Sequence, residues 1–254
     1  MKQNPIGETG SFGNLAADYE QGRREYPRSL MECILRHVDN AAESLILDIG
    51  CGTGKATRLL ASSVRVVIGA DPDPKCIQTA LEQAGSNLAY RQASAEDLPF
   101  RDETFHAVTT FSSFHWWCRR PKAIASIHRV LRAGGNFLVV NKHDTGPFRQ
   151  EARAIIARYS PHELTDAKQD YDPIKLLAAD GRWDVTCQEL LHEEQFTLPE
   201  LICQIRSLAV WNCIPATRSA EATQALEAHF STQLNEGLFH RPLLMRIVIA
   251  QKRG

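Results

Sequence analysis

The chain has 254 residues, with 29 Lys and Arg against 30 Asp and Glu, so its formal net charge is −1. At 43% hydrophobic and 23% charged it sits at the average for soluble globular proteins, which excludes disordered, collagen-like and disulfide-scaffold classes. Neither half is strongly basic, so no nucleic acid and no anionic membrane is announced as a partner.

Residues 13–38 read as helical, with Pro27 opening a second piece. Leu45–Ile49 is a short apolar run ending at Gly50, the pattern of a buried parallel strand. A helix over Lys55–Ala61 follows, then a β-branched strand over Val64–Ala70 ending at Asp71. Asp73 is placed to cap a helix whose first residue is Pro74, with Gly85 as its stop. Strands are expected at Leu88–Gln92, Phe105–Phe111 and Asn136–Asn141, with a helix over Pro121–Arg132 ended by Gly134 and Gly135. Strands alternating with helices call for an α/β fold: a parallel sheet with helices on both faces.

Beyond Lys142 the rhythm changes. Residues 148–179 are helical in character but broken by Pro161 and Pro173. A strand over Val185–Leu191, helices over Pro199–Val210 and Ala220–Leu234, and a last strand over Leu243–Ala250 complete the chain. The expected organisation is one domain: an N-terminal helical cap (1–43), a ligand-binding core (44–142), and a helical lid with the last two strands (143–254). Seven cysteines without a C-x-x-C pair suit free thiols rather than a zinc site. With a polar N-terminus and apolar runs far short of about 20 residues, the expectation is a cytoplasmic protein.

The richest signal is Asp48-Ile49-Gly50-Cys51-Gly52-Thr53-Gly54, between the first strand and a helix. Glycines there let the backbone approach a ligand, and a helix N-terminus offers unpaired N–H groups. A nicotinamide dinucleotide site wants its third glycine at position 55, which is Lys, and Asp48 would repel a pyrophosphate. A ligand with an ammonium group is welcomed instead, and Asp71 is placed to accept both hydroxyls of a ribose. An amine, a ribose and no phosphate describe S-adenosylmethionine.

On these residues the chain resembles a class I S-adenosylmethionine-dependent methyltransferase, of the type 11 kind. Ser94-Ala95-Glu96-Asp97-Leu98-Pro99-Phe100 is similar to that family's D-A-E-x-L-P-F, and His128–Gly135 to its x-R-V-L-K-P-G-G. The resemblance implies a Rossmann-like, seven-stranded, mostly parallel sheet with S-adenosylmethionine as cofactor. Its site would comprise Asp48, Gly50, Cys51, Gly52, Gly54, Asp71, Pro72, Ser94, Ala95, Glu96 and Phe111. Ser94 stands where the family has an acidic residue, so the adenine contact shifts toward Ala95 and Glu96. Asp71 and Asp73 have a bland reading too, as helix-capping residues; for Gly134 and Gly135 a purely structural role is the reading adopted.

Methyl transfer from a sulfonium needs alignment and exclusion of water more than covalent help. The acceptor is expected beyond the fourth strand, at Phe111-Ser112-Ser113-Phe114-His115-Trp116-Trp117. The N/D-P-P-Y/F motif of amine methylation is absent there. Phe114–Trp117 resembles the F-H-W-F of a small-molecule branch that includes the trans-aconitate methyltransferases, and Phe12, Ala16, Tyr19, Arg23, Tyr26 and Pro27 resemble that branch's N-terminal pattern. By resemblance, Tyr19 and Arg23 fold over the methionine end of the cofactor. Trp116 and Trp117 are either acceptor contacts or core filling, and His115 is either a general base or a packed histidine. A carboxylate acceptor needs positioning cations rather than a base, and Arg206-Ser207 resembles the branch's late R-S-x-S. A non-catalytic S-adenosylmethionine-binding protein is the alternative; no metal is expected, and the oligomeric state is not legible.

Overall fold

The computed structural model describes residues 16–164 and 172–254. Two short helices, α1 (Ala16–Gly22) and α2 (Arg28–Leu35), precede β1 (Leu45–Ile49). Then come α3 (Lys55–Ala61), β2 (Val66–Asp71), α4 (Pro74–Leu81), β3 (Leu88–Gln92), β4 (Phe105–Phe111), α5 (Arg120–Val130) and β5 (Leu131–Asp144). The second half holds α6 (Phe148–Ala157), α7 (Pro173–Asp180), β6 (Trp183–Phe196), α8 (Leu198–Arg206), α9 (Ser219–Ser231) and β7 (Phe239–Lys252). Asp73 caps α4 as expected, its carboxylate accepting from Lys75 N at 2.9 Å with Pro74 in the first turn. Phe12 of the N-terminal pattern lies outside the described residues.

The seven strands form one sheet in the order β3-β2-β1-β4-β5-β7-β6. The pairs β3/β2, β2/β1, β1/β4 and β4/β5 are parallel, so β1 to β4 all end at one carboxyl edge. Register pairs Asp48 with Gly69 of β2 on one side and with Thr109 of β4 on the other. This is the doubly wound arrangement in which ligands bind beyond the strand ends.

Gly134 and Gly135 do not stop a helix, as the sequence suggested; α5 ends at Val130 and both glycines lie within β5. Between the pairs Phe105/Leu131 and Ala107/Asn136, β5 spends five steps where β4 spends two, a bulge. Gly134 takes φ +71° there, and a Cβ on Gly135 would come 2.8 Å from His106 O. The glycines therefore serve a strand irregularity.

The chain divides into two compact units. Among the described residues the first comprises 16–24, 142–164 and 191–244, and the second 25–141, 172–190 and 245–254. The second unit is built on Leu47, Val108, Ile124, Phe137, Val139 and Val248, with α7 contributing Leu177. The first packs Phe148 and Ile156 of α6 with Leu201 and Ile205 of α8 and Leu226 and Phe230 of α9. Its α8 opens with a Thr197/Glu200 capping box, and Arg24 grips Glu200 with two bonds of 2.9 and 2.6 Å. That pairing, above all, holds the Glu200 carboxyl down at about 2.

Candidate functional site

The site begins where β1 runs out. Gly50, Cys51, Gly52, Thr53 and Gly54 bridge β1 and α3, and the three glycines take φ of +68°, +55° and +84°. Such angles cost other residues about 1–3 kcal/mol each. Neighbours enforce two of these glycines as well. A Cβ on Gly50 would fall on Ser113 Oγ, and one on Gly54 would fall on the Tyr90 hydroxyl. Tyr90 lies on β3 opposite Gly69 of β2, and its ring fills the space a Gly69 side chain would need. Around Gly52 the equivalent space is open, which leaves that backbone approachable.

Two carboxylates flank the loop. Asp48 is 1% exposed, and its oxygens accept from Thr57 Oγ1 of α3 at 2.7 Å and Thr109 Oγ1 of β4 at 3.0 Å. Burial pushes its pKa up to about 7, partly offset by those hydroxyls and raised further by nearby Asp71. Asp48 thus lies beneath the loop and ties β1, α3 and β4 together. Asp71, at the end of β2, accepts from Gly52 N on Oδ2 and from Asp73 N on Oδ1, each at 2.9 Å. Burial raises its pKa too, with the two amides pulling the other way. Each carboxylate oxygen has two acceptor sites, so one on each remains for a ligand hydroxyl. Capping α4 falls to Asp73, which leaves Asp71 to the loop.

The remaining expected residues of this unit gather at the same edge. Pro72 is exposed, and its carbonyl accepts from Gln92 Nε2 at 3.2 Å. Ser94 and Glu96 are half-buried around buried Ala95, in a turn closed by Asp97 N donating to Ser94 O. Glu96 accepts from Arg119 N at 3.3 Å. Phe111 packs against Tyr26, ring centroids 4.9 Å apart. Cys51 is buried, which holds its thiol well above its usual pKa and keeps it a neutral wall. The fit to a ribose-bearing ligand rests on the open face at Gly52 beside the half-used Asp71 carboxylate.

Residues 47–139 match the family model described as "Methyltransferase domain", which spans β1 to β5 and every element that shapes the loop. Over this span the chain is similar to methyltransferases, among them a probable S-adenosylmethionine-dependent methyltransferase of Saccharomyces cerevisiae, 31% identical over 128 residues. It is similar to an uncharacterized methyltransferase-like protein of Schizosaccharomyces pombe, 33% identical over 152 residues, covering 59% of each chain. The chain thus spans under two thirds of that relative's length. A putative type II methyltransferase from Anaeromyxobacter dehalogenans shares the fold with a TM-score of 0.66 at 19% identity, over 91% of this chain and 97% of that one. A Haemonchus contortus phospholethanolamine N-methyltransferase, solved with phosphomonomethylethanolamine and S-adenosylhomocysteine, gives 0.56 at 19% identity, over 95% of this chain and 58% of its own.

The segment after β4 divides in two. Trp117 is 8% exposed, stacked on Phe137 (6.3 Å, 16°) and edge-on to Phe114 (4.7 Å, 83°), which makes it core. Trp116 is half-buried, with its ring 5.0 Å from that of buried His115. Tyr19, Arg23 and Arg206 come together in the other unit. Arg23 lies over the Tyr19 ring (5.2 Å) and donates to Ser207 Oγ at 3.0 Å. Arg206 pairs with Asp18 at 3.2 Å and lies over Trp211 (5.9 Å). Reading the sequence missed Tyr90, Thr57 and Thr109, and named Ser113 only as part of the segment after the fourth strand. Only Tyr90 left a trace, as an aromatic residue on a short strand beside a glycine-bearing one.

Proposed function

We propose that the chain transfers a methyl group from S-adenosylmethionine to a small-molecule acceptor, with a carboxylate oxygen as the acceptor atom. The observation that carries this is the Gly50–Gly54 loop closing onto Asp71, whose two oxygens each keep one acceptor site. When bound, S-adenosylmethionine supplies a methyl on a positively charged sulfur; the C–S bond breaks as the acceptor oxygen bonds to that carbon.

In this reading Asp71 takes the ribose hydroxyls, Ser94 to Glu96 border the adenine, and the acidic groups of Asp48 and Asp71 favour a cationic ligand. Tyr19 and Arg23 are assigned to the methionine end by resemblance to the trans-aconitate branch. A carboxylate acceptor is already ionised, so His115 acts as a wall beside Trp116 rather than as a base. Arg206 is assigned as the positioning cation by resemblance of Arg206-Ser207 to the branch's R-S-x-S. The near-zero net charge supports a small acceptor over nucleic acid. Among the described residues no helix is long and apolar enough to cross a membrane. The seven free cysteines support a reducing, cytoplasmic setting.

The test is turnover with labelled donor against di- and tricarboxylates, phenols and amines. Methyl esters of a carboxylate are the expected product. Turnover of phenols or amines with no carboxylate accepted contradicts the acceptor assignment. Donor binding without any turnover selects a non-catalytic binding protein.

A further inference from the structure

Trp117 has one polar atom, and its position links two parts of the site. The indole ring is fixed by Phe114 and Phe137, while its Nε1–H donates to Ser113 Oγ at 3.2 Å. That Ser113 oxygen occupies the space a side chain on Gly50 would need. Ser113 is itself held from behind, because Ser112 adopts φ +51° and its N–H donates to Val140 O of β5 at 2.8 Å. On the β4 side, then, Gly50 packs against the Ser113 hydroxyl, and that hydroxyl accepts from the Trp117 indole N–H. No side chain caps α3 at Gly54.

We infer that Trp117 is a positioning residue for the glycine loop, acting through Ser113 on Gly50, and not a contact for the methyl acceptor. For donor affinity, this rests on the reading of that loop as the S-adenosylmethionine site. Replacing the indole N–H while keeping an aromatic ring releases Ser113 Oγ, and the loop loses its stop on that side.

The experiment compares the full chain with Trp117→Phe, Ser113→Ala and the double variant. Calorimetry with S-adenosylhomocysteine is expected to show each single variant binding about three- to tenfold more weakly, the scale of one net hydrogen bond. The double variant should fall within about twofold of either single one, because both remove the same link. Amide hydrogen exchange at 50–54 is expected to quicken in all three, with α5 unchanged. Unchanged exchange and affinity in Trp117→Phe and Ser113→Ala, or losses that add, overturn the inference. Should the native chain fail to bind S-adenosylhomocysteine, the donor reading falls, while the exchange data still decide whether Trp117 governs the loop. Should Trp117→Phe not fold, Ser113→Ala alone decides: native-like exchange at 50–54 overturns the link.

Discussion

Two pairs of buried carboxylates in this chain are treated in opposite ways. In the sheet unit, Asp48 and Asp71 are met by hydroxyls and amide N–H groups. In the helical unit, Asp144 and Glu194 are met by cations: Arg241 bonds Asp144 through Nε and Nη2 and Glu194 through Nη1 at 3.0 Å, and Lys142 Nζ reaches Glu194 at 2.6 Å. Gln204, with its amide turned to accept from Arg241 Nη1 at 3.3 Å, completes that network. Burial lowers the Lys142 pKa, with Glu194 pulling it back up. A neutralised cluster of this kind specifies a packed arrangement, whereas uncompensated acids beside an open backbone suit a cationic ligand.

The largest expected effect comes from breaking the neutralised side. Arg241→Ala strands Asp144 and Glu194 and should lose about 3–5 kcal/mol of stability, read by urea denaturation. Next, Gly54→Ala puts a methyl against Tyr90 at φ +84°. The expected loss is about 1–3 kcal/mol, seen as a lower melting temperature with weakened S-adenosylhomocysteine binding.

The Asp48 effect is graded by pH. A carboxyl raised to about 7 keeps, when folded, a proton that the unfolded chain releases from about pH 4 upward. Its contribution to stability is therefore fullest below about pH 4 and is lost as pH rises to about 7, by at most about 1.4 kcal/mol per unit. Denaturation of Asp48→Asn at pH 5 and pH 7 should show that slope removed; an unaltered slope contradicts the assignment. The smallest effect belongs to the helical unit: Thr197→Ala removes a cap worth about 1 kcal/mol and should leave donor affinity unchanged by calorimetry.

What could be read from the sequence follows the same division. The strands β1, β3 and β4 and helix α3 were legible to the residue; for β1 and β4 the reason is that buried parallel strands are near-continuous apolar runs. Asp71 and the loop were legible because glycines at 50, 52 and 54 have few other uses at such a turn. The long strand β6 was read over Val185–Leu191 only: HEEQ beyond it shows no apolar period along an exposed strand. The pairing of Lys142, Glu194 and Arg241 left no mark in the sequence, since only tertiary contacts bury such charges. Trp117 and Ser113 were placed in the right segment, but an indole N–H aimed at a hydroxyl is a three-dimensional fact.

The most direct measurement is a calorimetric titration of S-adenosylhomocysteine into the native chain and into Asp71→Ala, with NAD as the control ligand. One-to-one binding is expected in the native chain, weakened at least tenfold in a folded Asp71→Ala variant, since each lost charge-assisted bond is worth about 1.5–3 kcal/mol. Binding of NAD instead, or equal affinity for S-adenosylhomocysteine in both chains, would contradict the loop's assignment as the donor site.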